Sequence, residues 1–207
     1  MNIHSVATAP VLDKRAAILE AATATFAKHG FFGAQVADIA RGAGIAAGTV
    51  YLYFRSKDEI LASIFDRTME EAIAEGRAAL ADVKDPVERL RRIARLHLTR
   101  LGRDRNLAVV FQVELRQTTK FMEQFSTTGL RGYLSLIQLT IEDGQASGAF
   151  RKAINARTAA KLFFGALDEM ATNWILSRRR YALAGQADEV VDILVGGLGS
   201  PGKGPAG

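Results

Sequence analysis

Residues 35–54 read QVADIARGAGIAAGTVYLYF, and this run predicts two short helices joined by a tight turn. Val36, Ile39 and Ala40 recur at helical spacing, so the first helix has one apolar and one polar face. Arg41-Gly42-Ala43-Gly44 then breaks the pattern, and glycine supplies the positive φ that a sharp interhelix turn demands. Ile45 plugs the turn, while Val50 and Phe54, about one helical turn apart, pack the second helix onto the first. That leaves Ala46, Ala47, Gly48, Thr49, Tyr51 and Tyr53 facing outward. Small residues at the start of such a helix let its backbone enter a DNA major groove, where bulky ones would hold it away. The expectation is a helix-turn-helix.

Upstream, Leu12, Ile18, Leu19, Ala22 and Phe26 carry an amphipathic helix from about Val11 to His29-Gly30, after an N-terminal arm without periodicity. Downstream, Ser56-Lys57-Asp58-Glu59 is a capping box. It opens a long helix through Ile60, Ile64, Met69 and Ile73 to about Asp82, the mechanical link to whatever follows. Asp85-Pro86-Val87-Glu88 starts another helix, which ends at Gly102. A further helix is expected from about Asp104 to Gln117, and a long helical segment between Phe121 and Gly148, bent at Gly129 and Gly132. Asn155 caps a helix from about Ala156 to Arg179 that is apolar around most of its circumference and so must be covered on most sides. Ala187, Val190, Val191 and Leu194 mark a last helix, before a Gly- and Pro-rich tail, residues 199–207, that reads as disordered. The fold class is all-α, with a DNA-binding module at residues 10–55 and a second domain at 56–198.

With 207 residues and 48% hydrophobic content, the chain is large enough to bury a core. No apolar run approaches the ~18 residues of a membrane span, and no secretory leader pattern opens the sequence. Cysteine is absent, which excludes disulfides and thiolate metal sites. The three histidines, His4, His29 and His97, lie far apart without metal-ligand spacing. His97 on a mostly apolar helix reads as a hydrogen-bonded core residue. No phosphate loop follows a strand, since no strand is expected. Neither a metal nor a catalytic constellation is predicted, so an enzyme is not expected. A net charge of +5 suits a polyanionic partner.

The run Ala43-Gly44-Ile45-Ala46-Ala47-Gly48-Thr49-Val50-Tyr51-Leu52-Tyr53-Phe54-Arg55-Ser56-Lys57-Asp58-Glu59-Ile60-Leu61 resembles the signature of TetR-family one-component transcriptional regulators. It differs at Ala46, where the family often places Ser or Thr as a cap, forgoing a hydrogen bond worth about 1 kcal/mol. The resemblance implies double-stranded operator DNA as a partner. It also implies a homodimer formed through the helices near 156–179 and 186–198, acting in the cytoplasm on a palindromic site. On the DNA side, Thr49, Tyr51, Tyr53 and Lys57 can donate to phosphates, Gly48 permits close backbone approach, and Lys14 stands at the start of the first helix. Base reading falls to Gln35, Ala47, Thr49 and Tyr51.

The segments Asn106-Leu107-Ala108-Val109-Val110, Val113-Glu114-Leu115-Arg116-Gln117 and Phe164-Gly165-Ala166-Leu167-Asp168-Glu169, with Trp174 and Tyr181, are similar to the FadR-type branch of that family. That branch implies release from DNA by long-chain acyl-coenzyme A, an effector rather than a cofactor. An acyl chain needs an apolar tunnel, for which Leu107, Phe111, Leu115, Phe125, Leu134, Phe163, Phe164 and Leu167 are available. The polyanionic coenzyme end needs cations, for which Arg100, Arg103, Arg105, Arg116, Lys120 and Arg131 are available beside Asn106. Arg116 and Asp168, both in apolar company, are expected at the polar end of the pocket, Arg116 offset by Glu114 or Asp168. Two rivals keep the helices but not the ligand: a TetR-type sensor of drugs or aromatic compounds, and an α-helical enzyme with incidental basic charge.

Overall fold

The computed structural model describes residues 13–117, 123, 129–179 and 181–198, and among them it is helical without strands. Helix α1, Lys14–Gly33, starts where Asp13 accepts from the backbone N–H groups of Arg15 and Ala16. Its regular geometry breaks at Gly30, whose φ of 71° is open to glycine at little cost. Helix α2, Val36–Gly42, turns through Gly44 (φ 67°) into the short α3, Ala47–Val50. Ile18, Ala22, Phe26, Ile39, Val50 and Phe54 are buried together and make this three-helix module a unit. Ala46 makes no side-chain cap, as its methyl requires.

Helix α4, Lys57–Leu80, is capped by Ser56, which accepts from Glu59 N, while Glu59 reaches back to Arg55 N at 2.6 Å. The helix reaches from the first module into the second domain. Ile60, Leu61 and Ile64 at its start are buried with the module, and its later turns pack against α5, Pro86–Arg103, and α7, Gly129–Ala146. Gly129, which opens the described part of α7, and Gly132 within it have a packing role. A Cβ at either would come within 3.0 Å of Met69 or Ile73, so these glycines let α7 lie close on α4.

Helix α6, Arg105–Gln112, stops five residues short of the expected Gln117 and gives way to a 3-10 turn, Glu114–Arg116. The reason is tertiary: Glu114 turns inward to the backbone of Phe31 in the first module. Helix α8, Ala156–Leu176, is capped by Asn155 and ends at an extended Ser177, three residues before Arg179. A 3-10 turn, Leu183–Gln186, leads into α9, Ala187–Leu198. The expected arm, Lys120, Phe125 and the tail at 199–207 lie outside the described residues. Among the described residues, no helix is long and apolar enough to cross a membrane.

Candidate DNA interface and effector cavity

The outer face of the helix-turn-helix carries Gln35, Ala47, Gly48, Tyr51 and Tyr53, all exposed, with Thr49 half-buried. Tyr51 is 58% exposed although it is a large ring, and a Cβ on Gly48 would meet open space. Together they form a smooth, small-residue prow flanked by phenols. Lys14 is exposed at the first turn of α1. Lys57 is placed differently from the sequence expectation. Its ammonium donates to the carbonyls of Phe31 (2.9 Å) and Ala34 (2.7 Å) and lies 5.0 Å from the Phe31 ring. It therefore caps the end of α1 instead of reaching out to a phosphate, because helix-end carbonyls are themselves an attractive site for a cation.

Between α4, α5, α7 and α8 lies an apolar cavity of about 260 Å³. Phe65 and Met69 on α4, Phe111 on α6, Leu130 and Leu136 on α7 and Phe164 on α8 supply its hydrocarbon walls. Phe65 and Phe111 stack at 5.5 Å. Polar groups complete the lining. Arg100 is paired with Glu71 (3.0 Å) and Glu75 (2.7 Å). Arg116 donates to Asp168, which also accepts from Gln112 at 2.6 Å. His97 meets Tyr133 through Nδ1 at 3.1 Å. Loss of solvation by burial pulls the His97 imidazole down to about 4, with Arg100 adding to the effect and Asp168 opposing it. Burial likewise pushes the Tyr133 phenol up.

Of the residues expected around the ligand, Phe111, Leu115, Arg116, Phe164 and Asp168 come together on this cavity. Arg103, Asn106 and Leu107 line an adjoining, more polar cleft of about 400 Å³ between α1, α4, α5 and α6, which shares Thr68, Glu75, Leu96 and Arg100 with the cavity. Arg105 stacks over Trp174 (5.1 Å) and donates to Ile175 O at 2.5 Å, so it ties α6 to the C-terminal end of α8. Phe163 and Leu167 are buried in the core, Leu134 is half-buried on α7, and Arg131 is exposed. Arg100, expected among the cations, also lies on this cavity, whereas Phe65, Met69, His97 and Tyr133 are not expected there from the sequence. The available signal was that α4 and α5 each carry apolar side chains beyond what one neighbour can cover. Among the described residues, no group of three or more His, Asp and Glu side chains is placed to hold a metal ion.

A small-faced helix-turn-helix joined by one long helix to an all-α domain with an internal apolar cavity defines a DNA-binding regulator that carries its own ligand chamber. The chain belongs to the TetR family. Residues 18–64 match the family described as bacterial regulatory proteins, tetR family, and residues 65–197 match the YsiA-like C-terminal region. The fatty acid metabolism regulator protein of Bacillus subtilis strain 168 is 34% identical over 181 residues, covering 87% of this chain and 93% of that one. The crystal structure of FadR from Bacillus subtilis in complex with stearoyl-CoA has a TM-score of 0.84 at 33% identity, over 88% of this chain and 98% of that one. FadR from Bacillus halodurans, a fatty acid degradation regulator, has the same TM-score at 36% identity, over 88% and 98% of the two chains. These relatives are transcriptional regulators, and this chain is a regulator, not an enzyme.

Proposed function

We propose that this chain is a cytoplasmic repressor of fatty-acid degradation genes, bound as a homodimer to a palindromic operator and released by long-chain acyl-coenzyme A. The observation that carries the reading is the cavity itself: hydrocarbon walls from five helices, with the guanidinium groups of Arg100 and Arg116 in the lining. Each methylene moved into it from water contributes about 0.8 kcal/mol, so a long chain is separated from a short one by several kcal/mol. Arg116 and Arg100 are both held by carboxylates, and the phosphates of coenzyme A are competitors for those guanidinium groups. The stearoyl-CoA complex of the Bacillus subtilis relative supports the same ligand class.

Release is a population shift. Ligand favours a spacing of the two recognition helices that no longer matches successive major grooves, about 34–36 Å apart. A 100-fold loss of operator affinity requires about 2.7 kcal/mol of differential binding. Gel shifts on an operator fragment titrated with oleoyl-coenzyme A test this directly: release at stoichiometric ligand is expected, and unchanged binding sinks the reading. Native mass spectrometry of the purified protein gives a second test through a co-purified acyl species.

A further inference from the structure

The polar side chains that line the cavity come with their hydrogen-bonding needs almost met. Thr68 donates to Ile64 O at 2.7 Å. Glu75 holds Arg100, and Asp168 holds Arg116 and Gln112. Tyr133 meets Nδ1 of His97. The exception is the other ring nitrogen of His97: Nε2 is buried and has no partner among the described residues. An imidazole left this way in an otherwise satisfied wall costs free energy, and the cavity is where a partner can enter.

The tautomer follows from counting orphans. If Nδ1–H donated to Tyr133, the phenolic proton and the Nε2 lone pair would both lack partners. If the Tyr133 hydroxyl donates to Nδ1, only the Nε2–H is left over. The neutral ring is thus left with one N–H, on a side chain that is part of the cavity lining. Its edge contact with Phe164 (5.8 Å) and its contact with Tyr133 (5.8 Å) fix the ring plane.

We propose that His97 is the residue that reads the thioester carbonyl of the bound acyl chain, its Nε2–H donating to the carbonyl oxygen. The inference rests on the acyl-coenzyme A reading above. A fatty acyl thioester has one acceptor at the head of a long hydrocarbon, and His97 holds a buried ring nitrogen without a partner among the described residues, in a lining that is otherwise mostly hydrocarbon. Arg100, three residues on along the same face of α5, then stands where the coenzyme arm begins.

The test compares palmitoyl-coenzyme A with S-hexadecyl-coenzyme A, the thioether in which the carbonyl is a methylene, by isothermal titration on the intact protein. A site built to donate rejects the ligand that cannot accept, so the thioether should bind on the order of 10–100-fold more weakly. In H97F the two ligands should bind alike; in H97Q, which keeps an amide donor near Nε2, part of the discrimination should return. With palmitoyl-coenzyme A carrying carbon-13 at the carbonyl, the infrared stretch should move to lower wavenumber on binding wild type and not on binding H97F. Equal affinity of wild type for both ligands overturns this proposal and leaves the acyl-coenzyme A reading intact. Binding of neither overturns both.

Discussion

Oε2 of Glu114 accepts a hydrogen bond from the backbone N–H of Phe31 at 2.6 Å, a contact spanning 83 residues of sequence. Glu114 is only 4% exposed, and it also accepts from Gln117 at 2.7 Å. The same 3-10 turn carries Leu115 and Arg116 on the effector cavity. A side chain of the ligand domain is therefore fastened to the end of the first DNA-module helix, next to the point where Gly30 breaks it. Whatever moves Arg116 pulls on Phe31. Replacing Glu114 with alanine leaves a buried N–H without a partner, which costs about 1–3 kcal/mol. The expected result is a lower melting temperature, with acyl-coenzyme A still bound but less effective at releasing operator. Parallel calorimetry and gel shifts read the two effects separately; full ligand-driven release in the variant would show that coupling runs elsewhere.

Arg116→Ala should weaken ligand binding and stability together. Asp168 is only 13% exposed and would keep Gln112 alone as a partner. Arg116 is 47% exposed, so its half of the pair is partly screened. A loss of about 1–3 kcal/mol in unfolding free energy is expected, with roughly tenfold weaker acyl-coenzyme A binding. Denaturant melts and titration calorimetry check both, and an unchanged affinity would remove Arg116 from the ligand.

Lys57 and Lys14 should separate in salt dependence. Lys57→Ala removes donors from the Phe31 and Ala34 carbonyls, so it should destabilise the fold by about 1–2 kcal/mol. It should leave the slope of log affinity against log salt close to wild type. Lys14→Ala, at an exposed position, should leave the melt alone and lower that slope by about one unit. Operator titrations at three salt concentrations decide it.

Local signals carried the helix-turn-helix, the Ser56 and Asn155 caps and the Asp85-Pro86 start, because a cap is written within four residues of sequence. The ligand chamber was only partly legible. Phe111 and Phe164 were picked out, yet Phe163, one residue along the same helix, faces the core. Periodicity says which side of a helix is apolar, not which part of that side is covered by protein. The misplacement of Arg105 and Lys57 has one physical origin. A cation near a helix terminus finds carbonyl oxygens, and which terminus lies within reach is a tertiary fact. The sequence offers Glu114 as a partner for Arg116, whereas its long-range partner is the backbone of a segment 83 residues away.

His97 should make the protein acid-sensitive in a defined window. Its folded-state value of about 4 lies below the ordinary 6.5, through burial first, then Arg100, against the pull of Asp168. Between pH 6.5 and 4 the unfolded chain therefore binds a proton that the folded chain does not. Stability contributed by the neutral ring is fully present above about pH 6.5 and falls as pH drops toward 4, by on the order of 3 kcal/mol in all. Urea melts of wild type and H97Q across that range should converge toward low pH as the wild type loses its margin. Parallel curves would show that the ring is hydrated in the folded state.

The surface left uncovered on α8 and α9 is where a second copy should dock. Leu162 (63% exposed) and Leu176 (73%) stand fourteen residues apart on α8, four turns along one face that also carries Glu169, and Ile193 (69%) is exposed on α9. A Cβ on Gly165 would meet nothing within 4 Å, so the ridge between the leucines is low enough for another helix to approach. Leu162→Glu combined with Ile193→Glu changes only exposed positions, so helicity by circular dichroism should match wild type. Light scattering should then report the 22.4 kDa chain in place of a dimer. Operator affinity should fall by about 10²–10⁴-fold, since each module then binds its half-site without the help of the other. A variant that stays dimeric would put the interface on another face and with it the geometry by which ligand sets the spacing of the two recognition helices.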